Sequence, residues 1–215
     1  MHLFAALLPP ADALEGVRAL VAEAATAPPP ESGPPGRHRL GRRRDKTEQA
    51  QPGPLLDVLP TPAVNLTMAK FGNLPLSEAT RLADTMEKQA AGWEAPRLRL
   101  AGGAVLEPEG DDSVWVGMAG DMAALGAISA GVRRVAQGLQ LFVDRRAFRP
   151  QLQIAKINPQ TTEACLEEVL ALLQQFESPS WWQTTLSLLI PADLGPGQPP
   201  FKNFRDIPLG PAVEH

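Results

Sequence analysis

Apolar residues along this chain alternate between a two-residue rhythm and a helical one, and the order of the switches predicts the elements. Residues 2–8 are almost continuously apolar and predict a buried strand. Residues 11–25 follow as a helix with Leu14, Val17, Val21 and Ala24 on one face. Pro62–Phe71 predicts the next strand. Ser77 is placed to cap a helix reaching about Ala91, with Leu82, Met86 and Ala90 turned inward. Leu98 and Leu100 alternate with Arg97 and Arg99, as in a half-buried strand, and Val114, Val116 and Met118 repeat the pattern after a Gly110-Asp111-Asp112 turn. Asp121 stands at the start of a helix with the stripe Leu125, Ile128, Val132 and Val135, and Gly138 is a natural stop. The second half echoes the first: strand Gln151–Ile157, helix Thr161–Phe176 (Leu166, Val169, Leu170, Leu173), strand Thr184–Ile190.

Two stretches break the rhythm. Residues 27–60 hold eight prolines and six Lys/Arg, which predicts a long loop or disordered insertion rather than a core element. The tail, 191–215, carries six prolines and reads as a surface-wrapping loop. Strand, helix and strand recur in both halves without the glycine-rich turns of nucleotide-binding parallel sheets. The expected architecture is α+β: one domain over 1–215, with two similar lobes.

Composition alters this picture little. A 44% hydrophobic content over 215 residues supports a real core. The net charge of −4 argues against charge-driven nucleic-acid binding by the whole protein but leaves room for a local basic patch. Arg37-His38-Arg39-Leu40-Gly41-Arg42-Arg43-Arg44-Asp45-Lys46 is such a patch. It reads first as a solvated loop, and second as an arm for an RNA backbone. Adjacent Trp181 and Trp182 place one ring inward and one outward on a strand, for packing first and base stacking second. The only cysteine, Cys165, lies in an apolar run and is expected to be buried. No CxxC metal signature exists. No metal and no cofactor are expected. The apolar N-terminus lacks a basic leader and stops at Pro9-Pro10, which favours a first strand over a signal peptide. No stretch approaches the ~18 apolar residues of a membrane span. A cytoplasmic protein is the expectation.

Three local patterns carry a resemblance. The opening His2-Leu3-Phe4-Ala5-Ala6-Leu7-Leu8-Pro9-Pro10 resembles the first strand of bacterial 2′-5′ RNA ligases, also called RNA 2′,3′-cyclic phosphodiesterases, the LigT-like branch of the 2H phosphoesterases. Asn65-Leu66-Thr67-Met68-Ala69-Lys70-Phe71-Gly72 is similar to that family's His-x-Thr-Leu-x-Phe-Leu-Gly strand. Phe148-Arg149-Pro150-Gln151-Leu152-Gln153-Ile154-Ala155-Lys156 is similar to its Phe-Arg-Pro-His-x-Thr-Leu-Ala-Arg. The resemblance implies a bilobal fold, with antiparallel sheets and outer helices around a central cleft. It also implies a two-histidine acid–base site acting on a phosphodiester. Here the histidine positions hold Asn65 and Gln151, and only Thr67 of the two hydroxyl positions remains, Gln153 standing at the other.

Carboxamides do not titrate near neutral pH, so the family's proton transfers are lost at these positions. Polar residues nevertheless persist: Asn65 and Thr67 share one strand face, as do Gln151 and Gln153. They line either a solvated groove or a binding groove. Arg149 and Lys156 flank the second motif and Lys70 follows the first, as candidate phosphate ligands. By strict alternation Lys70 and Lys156 point away from the motif face unless a bulge intervenes. The leading expectation is a pseudoenzyme, a degenerate 2H-fold protein binding a phosphate, nucleotide, RNA 2′,3′-phosphate end or protein partner. The alternative is an active cyclic phosphodiesterase or ligase using relocated groups, with His38, His2 and His215 as the available imidazoles. A third class is an interaction protein working through Trp181/Trp182 or the 27–60 arm.

Overall fold

The computed structural model describes residues 1–26, 53–102, 112–144, 148–195 and 198–212. Two antiparallel sheets form the molecule. The first has the order β3-β1-β8-β9, from β1 His2–Leu7, β3 Leu66–Asn73, β8 Thr185–Pro191 and β9 Phe201–Pro208. The second has the order β2-β6-β5-β4-β7, from β2 Leu56–Val58, β4 Arg97–Leu100, β5 Ser113–Gly120, β6 Gln151–Ile157 and β7 Trp181–Trp182. Among the described residues four helices cover them: α1 Ala11–Ala24, α2 Leu76–Ala90, α3 Met122–Gly138 and α4 Glu163–Gln175. Helices α2 and α3 pack together against β9 and β3, whereas α1 and α4 pack together with α1 beside β2. No helix among the described residues is long and apolar enough to cross a membrane.

One hydrophobic core runs through both sheets and all four helices. Leu3, Ala5 and Leu7 of β1 join it from the first sheet, and Val114, Val116, Leu152 and Ile154 join it from the second. Each strand therefore turns one set of side chains to the helices and the other set away from them. The stripes expected on α2 and α3 are buried as the spacing requires. On α1 the buried set is Ala13, Leu14, Val17 and Val21, with Ala24 half-buried at its edge.

Several sequence expectations need correction. Leu56–Val58 lies inside the stretch read as a loop, yet it is an edge strand on β6, and Leu56 is buried. Three residues sufficed because Leu56 reaches the core while the strand takes its hydrogen bonds from β6. The strand predicted from Pro62 begins only at Leu66, because Thr61–Ala63 forms a 3-10 turn. Ser77 is inside α2; Pro75 occupies the cap position and no side chain caps it. Asp121 does precede α3 but caps nothing with its side chain. Its Oδ2 instead accepts the Arg97 amide at 2.7 Å, closing the end of the β4–β5 pair. The tail is not only a loop. Phe201–Pro208 pairs with β8 along its whole length and buries Phe201 and Ile207. Pro199 and Pro200 come just before this strand and Pro208 ends it, positions that an edge strand tolerates. The basic segment 37–46, His38 and His215 lie outside the described residues.

The link from β2 to β3 joins the two sheets and is pinned by α1. Arg18 Nε donates to the Leu59 carbonyl at 2.8 Å and its Nη1 to Thr61 Oγ1 at 2.8 Å. Leu59 in turn donates its amide to the Ile154 carbonyl of β6 at 2.8 Å. Arg18 thus holds the six-residue approach to Asn65 against the second sheet. Replacing Arg18 with Leu leaves two oxygens without this donor and is expected to cost about 1–2 kcal/mol, read by urea denaturation.

Two glycines should respond in opposite directions. Gly120 has φ +113°, and a Cβ there would lie 2.2 Å from the Arg97 carbonyl oxygen, so Gly120→Ala is expected to cost at least about 2 kcal/mol. Gly126, inside α3 with open space around it, should gain about 0.5–1 kcal/mol on change to Ala. Equal urea midpoints for these two variants would contradict this account of the backbone. Burial, with Glu168 nearby, raises the Cys165 thiol above its ordinary value. A thiol raised in the folded state favours folding below the unfolded value and loses that contribution as pH climbs through the folded one. Cys165 should therefore resist alkylation at pH 8 in the native protein and react promptly in 6 M guanidinium, an outcome that mass spectrometry reads directly.

Candidate functional site

The faces turned away from the helices hold the motif residues. On β3, Thr67 pairs with Ala6 and Leu66 with Leu7, so Thr67 shares the face of Ala6, opposite the core. Asn65 stands just before the strand, half-buried. Its Nδ2 donates to the Ala63 carbonyl at 3.2 Å, and its Oδ1 accepts the Thr67 hydroxyl at 3.0 Å. On β6, Gln151 pairs with Gly117 and Gln153 with Trp115, which puts both glutamines on the corresponding face of the second sheet. Gln153 Nε2 donates to Ser113 Oγ at 2.7 Å.

Alternation alone would turn Lys70 and Lys156 to the core. The pairing shows why it does not. Between Ala6↔Thr67 and Ala5↔Ala69 the register slips by one residue, leaving Met68 unpaired. Met68 and Ala69 both go to the core, and Lys70 returns to the Thr67 face opposite Phe4. The same slip recurs in β6. Between Trp115↔Gln153 and Val114↔Ala155 the extra residue is Ile154; Ile154 and Ala155 are buried, and Lys156 returns to the Gln153 face opposite Ser113. Both lysines are exposed, and neither forms an ion pair with another described residue. Asp57 of β2 is the other neighbour of Lys156; its Oδ1 accepts Asn158 Nδ2 at 3.1 Å.

Arg149 is exposed and lies two residues ahead of β6, so strand parity does not place it. His2 shares the face of Phe4 and Ala6, but at the far end of β1 beside Asn73, about 13 Å along the strand from Ala6. Trp181 pairs with Leu98 on the core side, where its Nε1 donates to Gln183 Oε1 at 3.0 Å, while Trp182 pairs with Arg97 on the other.

Further groups on these faces escaped the sequence reading. Phe4 and Phe201 meet edge to face at 6.1 Å and form a small apolar patch with Ala6 and Leu189, separate from the main core. Beside it Ser187 Oγ donates to Asp206 Oδ1, and Asn203 Nδ2 donates to Asp206 Oδ2, each at 2.6 Å. In the second sheet Trp115 Nε1 is buried and makes no hydrogen bond with another described residue. Strand pairing selects these residues, and no local motif signals them. Chemically the faces offer carboxamides, the hydroxyls of Thr67, Ser113 and Ser187, the carboxylates of Asp57 and Asp206, and two ammonium groups.

No protein-family model matches the chain, and no curated protein matches it either. Solved structures do. E. coli LigT complexed with 3′-AMP superposes with a TM-score of 0.62 at 17% identity, covering 97% of each chain. TT0787 of Thermus thermophilus gives 0.60 at 19%, covering 97% of this chain and 98% of that one. The MHV ns2 PDE domain gives 0.51 at 10%, covering 87% and 97%. At these identities the likeness is one of fold: the chain has the two-lobed α+β fold of LigT and related 2H phosphoesterases.

Proposed function

We propose that this protein is a degenerate 2H-fold protein that binds a phosphate-containing ligand, a nucleotide or an RNA end, on the motif faces of β3 and β6 without the two-histidine acid–base chemistry. The observation that carries this reading is the hydrogen bonding at the motif positions. Asn65 and Gln151 have no titratable group to exchange protons, and the Thr67 hydroxyl is turned to Asn65 as a donor. One N–H of Asn65, the Gln151 carboxamide, which makes no side-chain hydrogen bond among the described residues, and the exposed Lys70 and Lys156 remain to meet an anion. LigT has been crystallised with 3′-AMP, phosphate, ATP and NADP+, so this fold holds phosphate-bearing ligands. His2 stands about 13 Å down its strand from Ala6, which disfavours it as a replacement acid or base.

Calorimetry of the pure, metal-free protein with 3′-AMP and 2′,3′-cyclic AMP should show saturable binding, and product analysis should show no turnover of the cyclic nucleotide. Asn65→Asp and Gln151→Glu should each weaken binding about tenfold or more, because a carboxylate replaces an amide donor facing the phosphate. Hydrolysis that disappears on changing either Asn65 or Gln151 would overturn the loss of catalysis. Absence of binding would overturn the ligand assignment. Restoring both imidazoles, as Asn65→His with Gln151→His, should create a pH-dependent activity at least about 10²-fold above the starting protein if the groove geometry is retained.

A further inference from the structure

The outer strand of the first sheet, β9, carries a polar pair that the motif residues do not account for. Between Leu188↔Arg205 and Leu189↔Asn203 the register slips by one residue, and Phe204 is the extra one. Phe204 packs against the main core, and Arg205 turns to α2, where its Nη1 donates to Asp84 Oδ1 at 2.6 Å. Asn203 and Asp206 therefore both stand on the opposite face, although they are three places apart. Strand pairing then sets two rows across the sheet on that face. One runs Thr67, Ala6, Ser187, Asp206, and the next runs Lys70, Phe4, Leu189, Asn203. From β3 to β9 the face passes from a cation, over the apolar patch of Ala6, Phe4 and Leu189, to a carboxylate.

The Asp206 carboxylate is fixed and only half used. Ser187 Oγ donates to Oδ1 and Asn203 Nδ2 to Oδ2, each at 2.6 Å. An ionised carboxylate has about four lone-pair sites, so one remains on each oxygen. Asp206 is exposed and forms no ion pair with another described residue. Burial of Ser187 explains the first bond, because a buried hydroxyl needs a partner. It does not explain why Oδ2 is braced as well, on an exposed edge. Two acceptors held side by side suit a ligand with two adjacent N–H donors, since little side-chain ordering is left to do on binding. Thr67 and Asp206 are three strand spacings apart, about 14 Å, which a mononucleotide with a hydrogen bond at each end bridges. The carboxylate repels phosphate, so the phosphate end belongs beside Lys70 and the donor end at Asp206.

We propose that Asp206 is a specificity-determining residue that selects guanine, whose N1–H and N2 amino donors lie side by side, against adenine, which presents an acceptor at N1. Asn203 is its positioning residue, holding Oδ2, and Phe4 offers the apolar surface between the two ends. This rests on the nucleotide reading above. The choice among bases does not follow from that reading, because Asn65, Gln151 and Lys70 are assigned to the phosphate alone.

Calorimetric titrations with 3′-GMP, 3′-IMP, 3′-AMP and inorganic phosphate test the assignment. The variants are Asp206→Asn, which keeps an acceptor for Ser187, and Asn203→Ala, with thermal unfolding as the check that each remains folded. The starting protein should bind 3′-GMP at least about tenfold more tightly than 3′-AMP, with 3′-IMP, which lacks the second donor, in between. Asp206→Asn should abolish that preference while its affinity for inorganic phosphate stays within about twofold. Asn203→Ala should reduce the preference by a smaller factor, because the charge remains and only its brace is lost. If Asp206→Asn fails to fold, the selectivity of the starting protein and of Asn203→Ala decides the matter. A purely structural Asp206 would weaken all four ligands together or none of them, and either result overturns the proposal. Equal affinity of the starting protein for the three nucleotides also overturns it, and leaves the phosphate-binding reading standing. Binding of none of the four ligands overturns both.

Discussion

Both sheets pack one face into a single apolar core, and every other feature follows from that sharing. Leu3, Leu7, Leu66 and Met68 of one sheet and Val114, Val116, Leu152 and Ile154 of the other belong to the same cluster as the helix stripes. A strand in this arrangement has no freedom of register, because a one-residue slide exchanges its buried and exposed sets. Polar side chains are consequently driven to the opposite faces. The motif residues collect there because the core leaves them no other place.

That sharing also explains why the chain halves are not the lobes. The sequence repeats strand, helix and strand, which suggests one lobe per half. In the structure β1 and β3 join β8 and β9, while β2 crosses to β6 and β5. Helix α3, following β5, packs on β3 of the other sheet. Interleaving of this kind is invisible to periodicity, which reports what a segment buries but not against which partner. The Arg18 bonds to Leu59 and Thr61 show the cost of crossing: a guanidinium is needed to satisfy carbonyl and hydroxyl oxygens in the passage between sheets.

Much of the fold could be read from local pattern because the long elements are strongly periodic. The α3 stripe and the β6 boundaries agree with the structure residue for residue. The failures share one physical cause. Leu56–Val58 and Phe201–Pro208 are edge strands whose stability comes from a neighbour, β6 or β8, rather than from their own composition, so nearby prolines hid them. The positions of Lys70 and Lys156 escape simple alternation for a related reason. Alternation assumes an unbroken ladder, and a bulge is a property of two strands together. The recurrence of an Asn/Gln-Leu-Thr/Gln-Met/Ile-Ala-Lys pattern was nevertheless open to inspection and hinted that the two strands bend alike.

The hydrogen bonds at the motifs show how a site can lose acid–base groups and keep its shape. Asn65 holds the Thr67 hydroxyl and bonds back to Ala63, so the start of β3 is ordered with no ligand required. Gln153 does the same for its strand by donating to Ser113. An apolar residue at Asn65 would leave the Ala63 carbonyl and the Thr67 hydroxyl without those bonds, at a cost of about 1–3 kcal/mol for any group left buried and unpaired. The carboxamides therefore have a structural reason to stay polar that is independent of any ligand. For the lysines the core supplies the reason, because an unpaired ammonium buried there would cost several kcal/mol. Each is exposed and lacks an ion pair among the described residues, although it is brought to this face only by a bulge.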